Sequence, residues 1–201
     1  MTANTSANNP NSLGGRIIYV IATLCFVAVF LLTFMLNSVT GAFEGFQFST
    51  EFSHYFENDQ YARLADALLH GRFTLDLPVS QELADLANPY DYDARAIIGS
   101  ESAPIFWDHA FYEGSYYCYF GVVPAILLYM PYQLVTGAWL STPVAIGIIG
   151  VLAIIAMSLL IRRLALRYFA GSVTTLSLLA CLFVSFNGGN YLYLAFVARF
   201  Y

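Results

Sequence analysis

The stretch IIYVIATLCFVAVFLLTFML, residues 17–36, contains twenty consecutive residues without a charged side chain. A helix of that length crosses the roughly 30 Å hydrocarbon layer of a membrane. Two further apolar runs, residues 142–161 and 168–186, have the same character. The chain is 59% hydrophobic and 10% charged, which is too apolar for an ordinary soluble domain. We therefore expect an all-α integral membrane protein with about three transmembrane helices.

The first apolar run also resembles a signal peptide, but its apolar core is longer than usual and only Arg16 supplies a positive flank. We predict an uncleaved first transmembrane helix at residues 16–37. The preceding residues 1–15, MTANTSANNPNSLGG, are polar and of low complexity, which predicts a disordered tail.

The charged residues are unevenly distributed. All 13 acidic residues lie between Glu44 and Glu113 together with three of the eight arginines, so this part has a net charge of −10. Such a segment repels the phosphates of nucleic acid, which excludes nucleic acid as a partner. Residues 38–118 therefore form one large acidic loop that carries nearly all the ionisable side chains.

Residues 119–140 decide the topology. If they cross the bilayer and the N-terminus is inside, the arginines of residues 162–167 lie outside, against the positive-inside rule. If they form an interfacial or re-entrant helix, residues 141–187 form a transmembrane hairpin whose arginine-rich turn, 162–167, is cytoplasmic. A four-span arrangement with the N-terminus outside also places this turn inside, but it leaves Arg16 outside and the acidic loop in the cytosol. We favour the second arrangement, a multi-pass protein whose acidic loop is extracytoplasmic.

Within the acidic loop, residues 59–71 have the pattern of an amphipathic helix. Apolar side chains recur at helical spacing, at Tyr61, Leu64, Ala65, Leu68 and Leu69. Asp59 is a favoured N-cap, and Gly71 is a favoured residue at which a helix ends. An amphipathic helix just outside a transmembrane segment most simply lies parallel to the membrane surface.

Asp59 has two interpretations. It is a helix cap, or it is a general base placed where a lipid headgroup and a soluble hydroxyl meet. Glu51 and Glu57 are neighbouring acids that compete for the second role.

The arginines predicted on the outer side are candidates for binding an anionic phosphate, because a guanidinium binds phosphate through two parallel hydrogen bonds. The candidates are Arg63, Arg95 and Arg199, with Arg72 as a further cation. The alternative is simple ion pairing, for example of Arg63 with Asp59 or Asp66 at helical spacing.

The stretch WDHAFYEG, residues 107–114, contains Asp108 and His109. His109 is a candidate proton shuttle, and the alternative is a hydrogen-bonded surface packed on aromatic rings. The nearby aromatic side chains, including Tyr117, suit the C–H faces of sugars and equally suit an aromatic belt at a membrane interface. Gly114 predicts a turn between two pieces that are either strands or short helices.

The triplet DYD, residues 91–93, places two carboxylates where they can share a divalent cation. The surrounding NPYDYD is also an ordinary turn sequence. We assign no metal ligand and no cofactor, and a divalent metal stays a possibility.

The order of these parts resembles the GT-C superfamily of integral-membrane glycosyltransferases, and more narrowly a bacterial branch of it. The resemblance covers roughly residues 55–170. It depends on DQYARLADALLHGRFTLD (59–76), NPYDYDAR (88–95), WDHAFYEGSYYCYFGVVPAILLYMPYQLVTG (107–137) and RRLALRYF (162–169).

This resemblance implies that Asp59 is the catalytic base and that residues 120–137 form an interfacial helix. It also implies a lipid-linked sugar donor, typically a polyprenyl-phosphate sugar, and an acceptor in the cell envelope (a glycan, lipid or protein). Transfer would invert the anomeric carbon, on the outer face of the bacterial cytoplasmic membrane. Substrate-binding roles fall on Arg63, Arg95, Asp108, His109, Tyr117 and Arg199.

Members of the superfamily have more transmembrane helices and often a second acid in the next outer loop. We expect residues 188–201 to begin such a loop, the chain to be the N-terminal portion of a longer enzyme, and this portion alone to be inactive. The alternative is a non-enzymatic membrane protein whose acidic ectodomain binds a partner.

Overall fold

A computed structural model describes residues 8–39, 59–98, 105–189 and 191. The chain divides into two compact units. We call residues 1–46 with 146–201 the helical unit, and residues 47–145 the polar unit.

Three helices of the helical unit lie wholly within the described residues. Helix α1 spans Leu13–Val39, helix α6 (Thr142–Tyr168) starts in the polar unit and lies mostly in the helical unit, and helix α7 spans Thr175–Gly188. Ser12 caps α1, because its Oγ accepts a hydrogen bond of 3.0 Å from the backbone N–H of Gly15. The first helix therefore begins inside the segment 1–15 that the sequence predicts to be a disordered tail.

Among the described residues, two helices are long and apolar enough to cross a membrane, over Leu13–Leu36 and Thr142–Tyr168. Helix α7 is apolar but has 14 residues, which is about 21 Å and shorter than the hydrocarbon layer. The expected number of about three spanning helices is therefore not supported. The sequence counted residues 168–174 as part of the third helix, whereas Thr174 caps α7 through a capping box with Ser177.

The prediction of an arginine-rich turn at 162–167 is wrong. Arg162, Arg163 and Arg167 lie in the last two turns of α6, and the chain turns only after Tyr168. Arginine is a good helix former, so a charged end does not break a helix that is already established.

Close packing of aromatic rings against glycines joins α1 to α6. The ring of Phe30 is fully buried over Gly150, and the ring of Phe34 lies over Gly147. Near the other end of the same contact, the Tyr19 hydroxyl donates to the backbone oxygen of Ser158 at 2.8 Å. These contacts place the core of the helical unit along α1.

The polar unit contains a small sheet in addition to helices, so the protein is mostly helical but not all-α. Strands β1 (Thr74–Leu75), β2 (Ala110–Tyr112) and β3 (Ser115–Tyr117) form an antiparallel sheet in the order β1-β3-β2. Glu113 and Gly114 have φ values of 45° and 72°, which is the backbone of a tight two-residue hairpin. The two pieces on either side of Gly114 are therefore strands.

The remaining helices of the polar unit are short. They are α2 (Gln60–Leu69), α3 (Gln81–Ala84), α4 (Tyr92–Ile98), a π-helical segment (Ala125–Tyr129) and α5 (Met130–Thr136). The last two fall within the predicted interfacial helix at 119–140. Pro131 explains the wide π turn, because proline has no N–H to donate and the Met130 N–H bonds instead to the Ala125 carbonyl.

Helix α2 is a core element, which corrects the prediction of an amphipathic helix lying flat on a membrane. Residues 60–65 are all buried, including the polar Gln60 and the charged Arg63. On its apolar side, the Tyr61 ring packs on Tyr129 at a centroid distance of 6.0 Å. On its polar side, Asp66 accepts a hydrogen bond of 3.2 Å from the side chain of Gln133. Both faces are therefore covered by other parts of the polar unit.

Candidate active site

Asp59 and Arg63 form an ion pair across the first turn of α2. Arg63 Nε donates to Asp59 Oδ1 at 3.0 Å, and Arg63 Nη2 lies 2.9 Å from Asp59 Oδ2. The Asp59 side chain is 12% exposed and the Arg63 side chain 4%. Asp59 occupies the N-cap position, but its carboxylate makes no cap hydrogen bond. Its side chain therefore serves the ion pair and not the helix terminus.

Arg63 also fixes the chain that leaves β1. Its Nη1 donates to the backbone carbonyl of Asp76 at 3.0 Å. A buried charge is tolerated when it is paired and its donors are bonded, and Arg63 meets both conditions.

His109 is a buried imidazole close to this pair. It is 2% exposed, and neither ring nitrogen has a hydrogen-bond partner among the described residues. The pKa of His109 is lowered from 6.5 to about 4, chiefly by burial and also by the positive charge of Arg63, while the charge of Asp108 opposes the shift. At neutral pH His109 is therefore an uncharged ring that can donate one hydrogen bond and accept another.

Arg95 is the second buried guanidinium of the polar unit. It lies on α4, is 4% exposed, and donates from Nη2 to the carbonyl of Phe106 at 3.1 Å. Its Cζ lies 5.0 Å from the ring centre of Trp107 and 5.8 Å from that of Tyr90. Within the described ranges no acid lies at ion-pair distance from Arg95. Ring faces and a carbonyl oxygen compensate its charge in place of a carboxylate.

Phe106 and Tyr116 connect His109 to Arg95. The His109 ring lies edge-on to both, at centroid distances of 5.7 Å and 6.2 Å. The Tyr116 side chain is almost fully buried, and burial raises the pKa of its hydroxyl, an effect that the Phe106 carbonyl and Arg95 reduce. Ring contacts therefore join His109 to Arg95, and the charge of Arg63 acts on His109. We call this group, from Asp59 to Arg95, the interior cluster.

The cluster includes four of the predicted site residues, which are Asp59, Arg63, Arg95 and His109. Asp108 is half-buried and acts on His109 through its charge. Tyr117 follows Tyr116 on β3, so its side chain points to the opposite face of the sheet, away from the cluster. Arg199, Glu51 and Glu57 lie outside the described residues.

Sequence reasoning missed Gln60 and Tyr116. Gln60 is 1% exposed, and its Oε1 has no hydrogen-bond partner in the part of the chain that the structure describes. Polar residues are usually exposed, so its position in the sequence gives no sign that Gln60 is buried. Tyr116 could have been found from the strand period, because it alternates with Ser115 and Tyr117 and only one side of the hairpin is buried.

The DYD triplet has a structural role. The carboxylate of Asp91 accepts a hydrogen bond of 2.9 Å from the Ala94 N–H and so caps α4, and Asn88 Oδ1 accepts from the Tyr90 N–H at 3.1 Å. Among the described residues, no three His, Cys, Asp or Glu side chains are grouped as metal ligands. The turn interpretation of this sequence therefore accounts for Asp91.

No protein-family model, characterised protein sequence or solved structure matches the chain. A functional proposal therefore depends on the geometry of the interior cluster and on the apolar helices.

Proposed function

We propose that this chain provides the catalytic base and the donor-binding residues of a membrane glycosyltransferase. The enzyme transfers a sugar from a polyprenyl-phosphate donor to an acceptor hydroxyl on the outer face of the cytoplasmic membrane, with inversion. The supporting observation is the buried, ion-paired carboxylate of Asp59 in one cluster with neutral His109 and two buried arginines. Clusters of this kind, with perturbed ionisable groups inside a folded unit, are typical of active sites.

In the proposed reaction, Asp59 removes the proton of the acceptor hydroxyl while the hydroxyl oxygen bonds to the anomeric carbon of the donor. The bond between that carbon and the phosphate oxygen breaks, and polyprenyl phosphate leaves with the electron pair. Arg63 contacts both oxygens of this carboxylate and holds them in place. A single displacement of this kind inverts the anomeric centre.

The departing phosphate requires a positive or hydrogen-bonding group. Arg63 is committed to Asp59 and to the Asp76 carbonyl, so we assign it to positioning the base. Arg95 has no acidic partner among the described residues, and His109 is an uncharged hydrogen-bond donor. We assign the phosphate to Arg95 and His109.

Exposed apolar side chains support a lipid environment. Leu32 of α1 and Leu159 of α6 are 61% and 64% exposed, and their helices are long enough to cross a bilayer. In the polar unit, Leu127 and Val135 are 72% and 86% exposed. Exposure of so many apolar side chains to water is unfavourable in free energy, and contact with lipid chains avoids this exposure. The interfacial position of the segment around Leu127 and Val135 stays a prediction.

The proposal is tested in cells that carry chromosomal substitutions, by measuring polyprenyl-phosphate sugars in lipid extracts with mass spectrometry. Asp59→Asn is expected to raise the pool of the unused donor several-fold, because transfer stops while donor synthesis continues. Asp66→Asn is the matched control, since Asp66 lies two turns along the same helix, has a similarly buried side chain, and contacts Gln133, His70 and Arg72 in place of the proposed site residues. An unchanged donor pool in Asp59→Asn cells would contradict the proposed function.

A second variant separates loss of the base from loss of the fold. Asp59→Asn combined with Arg63→Gln replaces the ion pair by two neutral amides, so neither side chain is left as a buried unpaired charge. We expect this protein to accumulate in membranes at the level of the wild type and to raise the donor pool as Asp59→Asn does. A normal donor pool with this protein present would contradict the role of Asp59.

A further inference from the structure

Two aromatic side chains of the polar unit, Tyr90 and Trp107, lie against Arg95, and the ring of Tyr92 packs on Trp107. We call Tyr90, Tyr92 and Trp107 the aromatic platform. They are 55%, 71% and 38% exposed. The rings of Tyr92 and Trp107 lie 5.1 Å apart between centroids, and the Arg95 guanidinium lies 5.0 Å from the Trp107 ring. The platform therefore exposes large ring surfaces that are held by a buried cation.

The platform is fixed before any ligand arrives. The Tyr90 hydroxyl donates to the Phe111 carbonyl at 3.0 Å and accepts from the Phe111 N–H at 2.7 Å. Arg95 is held by the Phe106 carbonyl at 3.1 Å. Rings that are fixed in this way lose little conformational freedom on binding, so even a ligand that makes few contacts can bind.

Carboxylates flank the rings. Asp91 and Asp93 lie on either side of Tyr92 in the chain and are exposed, and Asp108 follows Trp107. Carboxylates accept hydrogen bonds from hydroxyl groups, whereas they are repelled by the phosphates of anionic lipids. The exposed carboxylates beside the rings thus favour a neutral polyol as the ligand of the platform, whereas Arg95, the group assigned to the donor phosphate, is buried.

We infer that the aromatic platform binds a neutral oligosaccharide, with sugar C–H faces stacked on Trp107 and Tyr92 and hydroxyl groups donating to Asp91 and Asp93. Aromatic rings offer a broad apolar face to such C–H groups. This binding requires neither Asp59 nor sugar transfer. The inference rests on the proposed function at one point: a transferase acting on envelope glycans would hold its acceptor on the platform.

The test uses the full chain in a detergent without sugar headgroups. The chain has two tryptophans, and Trp139→Phe leaves Trp107 as the single fluorophore. Maltohexaose, chitotetraose and mannotriose are titrated at millimolar concentrations, with Trp107 fluorescence and saturation-transfer NMR as readouts. We expect saturable binding of at least one oligosaccharide, weakened about tenfold or more by Tyr92→Ala. Phe73→Ala is the matched control, because Phe73 is an exposed ring of the same unit outside the platform.

Three results would overturn the inference. The first is that none of the three oligosaccharides binds. The second is that Tyr92→Ala and Phe73→Ala bind as the wild type does. The third is that Trp107 is quenched in vesicles of brominated phosphatidylglycerol, which would place the platform on lipid. Asp59→Asn is expected to retain oligosaccharide binding, so a failure of the platform and a failure of the proposed transfer reaction are distinguishable.

Discussion

The two units of this protein bury different kinds of side chain. The core of the helical unit consists of rings on glycines and of apolar contacts, such as Phe30 on Gly150. The core of the polar unit contains a carboxylate, two guanidiniums and an imidazole, in addition to its aromatic rings. The helical unit is stabilised by shape complementarity, and the polar unit also depends on the pairing of charges that would be costly to bury alone.

This difference means that the same size of change has different effects in the two units. Removing one partner of a buried pair leaves the other charge uncompensated, whereas a misfit between a ring and a helix can relax by a small shift. The following predictions test the comparison, from the largest expected effect to the smallest.

The largest effect is expected for Arg63→Ala. The substitution leaves the Asp59 carboxylate buried without the guanidinium that contacts both of its oxygens. We expect the free energy of unfolding of the polar unit to fall by about 3–5 kcal/mol. The measurement is chemical unfolding of the full chain, followed by the fluorescence of Trp107.

Arg72→Ala is the matched control for Arg63→Ala. Arg72 is 44% exposed and its Nη2 lies 3.6 Å from Asp66, so its loss should change the free energy of unfolding by less than about 1 kcal/mol. If the two substitutions lowered the free energy of unfolding equally, burial would not explain the difference between the Asp59–Arg63 and Asp66–Arg72 pairs.

His109 is expected to give the polar unit a dependence on acid. Its pKa is lowered to about 4 in the folded protein by burial, whereas the unfolded chain takes up the proton near 6.5. The folded state therefore binds fewer protons in this interval, and stability that is complete above pH 6.5 is lost as the pH falls toward 4. The loss amounts to about 3 kcal/mol.

The pH dependence is measured as the midpoint of thermal unfolding between pH 7 and pH 4. His109→Gln should remove most of the decline, since glutamine does not titrate. His70→Gln should retain it, because the His70 side chain is 62% exposed at the end of α2. A decline of the same size in the His109→Gln protein would assign the pH dependence to other groups.

A smaller effect is expected in the helical unit for Gly150→Ala. A Cβ at this position would collide with Phe30 Cζ, so the buried ring must move. We expect a loss of about 1–3 kcal/mol in the free energy of unfolding. Adding Phe30→Leu should recover part of this loss, because a leucine side chain has no atom at the ring tip.

Gly121→Ala is the control for Gly150→Ala. No atom lies within 4 Å of a Cβ at Gly121, and a glycine-to-alanine change in open space reduces the entropy of the unfolded chain. Its free energy of unfolding should stay the same or rise. A loss as large as that of Gly150→Ala would indicate a backbone effect and not a clash.

The smallest effect is expected for Tyr90→Phe. It removes one hydroxyl that bonds both the N–H and the carbonyl of Phe111. A loss of about 1–2 kcal/mol is expected, with faster hydrogen exchange at the Phe111 amide. Tyr92→Phe, on the exposed neighbour, should leave that exchange rate unchanged.

The fold of the helical unit was largely predictable, because apolar runs set the helices. The error lay in the third run, where residues 168–174 are apolar enough to continue a helix but the capping box of Thr174 and Ser177 starts a new one. Hydropathy measures where a helix is tolerated, and caps decide where it begins.

The candidate site was predictable as a set of residue types but not as an arrangement. Asp59, Arg63, Arg95 and His109 were selected because they are ionisable and lie in the acidic loop. Their burial was not predictable, since it comes from the packing of α2 against the π-helical segment and the sheet. The polar face of α2 looked like a solvent face because the sequence does not show that Arg63 reaches Asp59 and the Asp76 carbonyl at once.

The hydroxyl of Tyr90 has a consequence for the sheet as a whole. Strand β2 lies at the outer edge of the order β1-β3-β2, where backbone groups normally stay available to another chain. The N–H and the carbonyl of Phe111 are both hydrogen-bonded to the Tyr90 hydroxyl, so neither is available to pair with a strand of a second molecule. The side chain of Tyr90, a turn residue, thus opposes edge-to-edge association of the protein into aggregates.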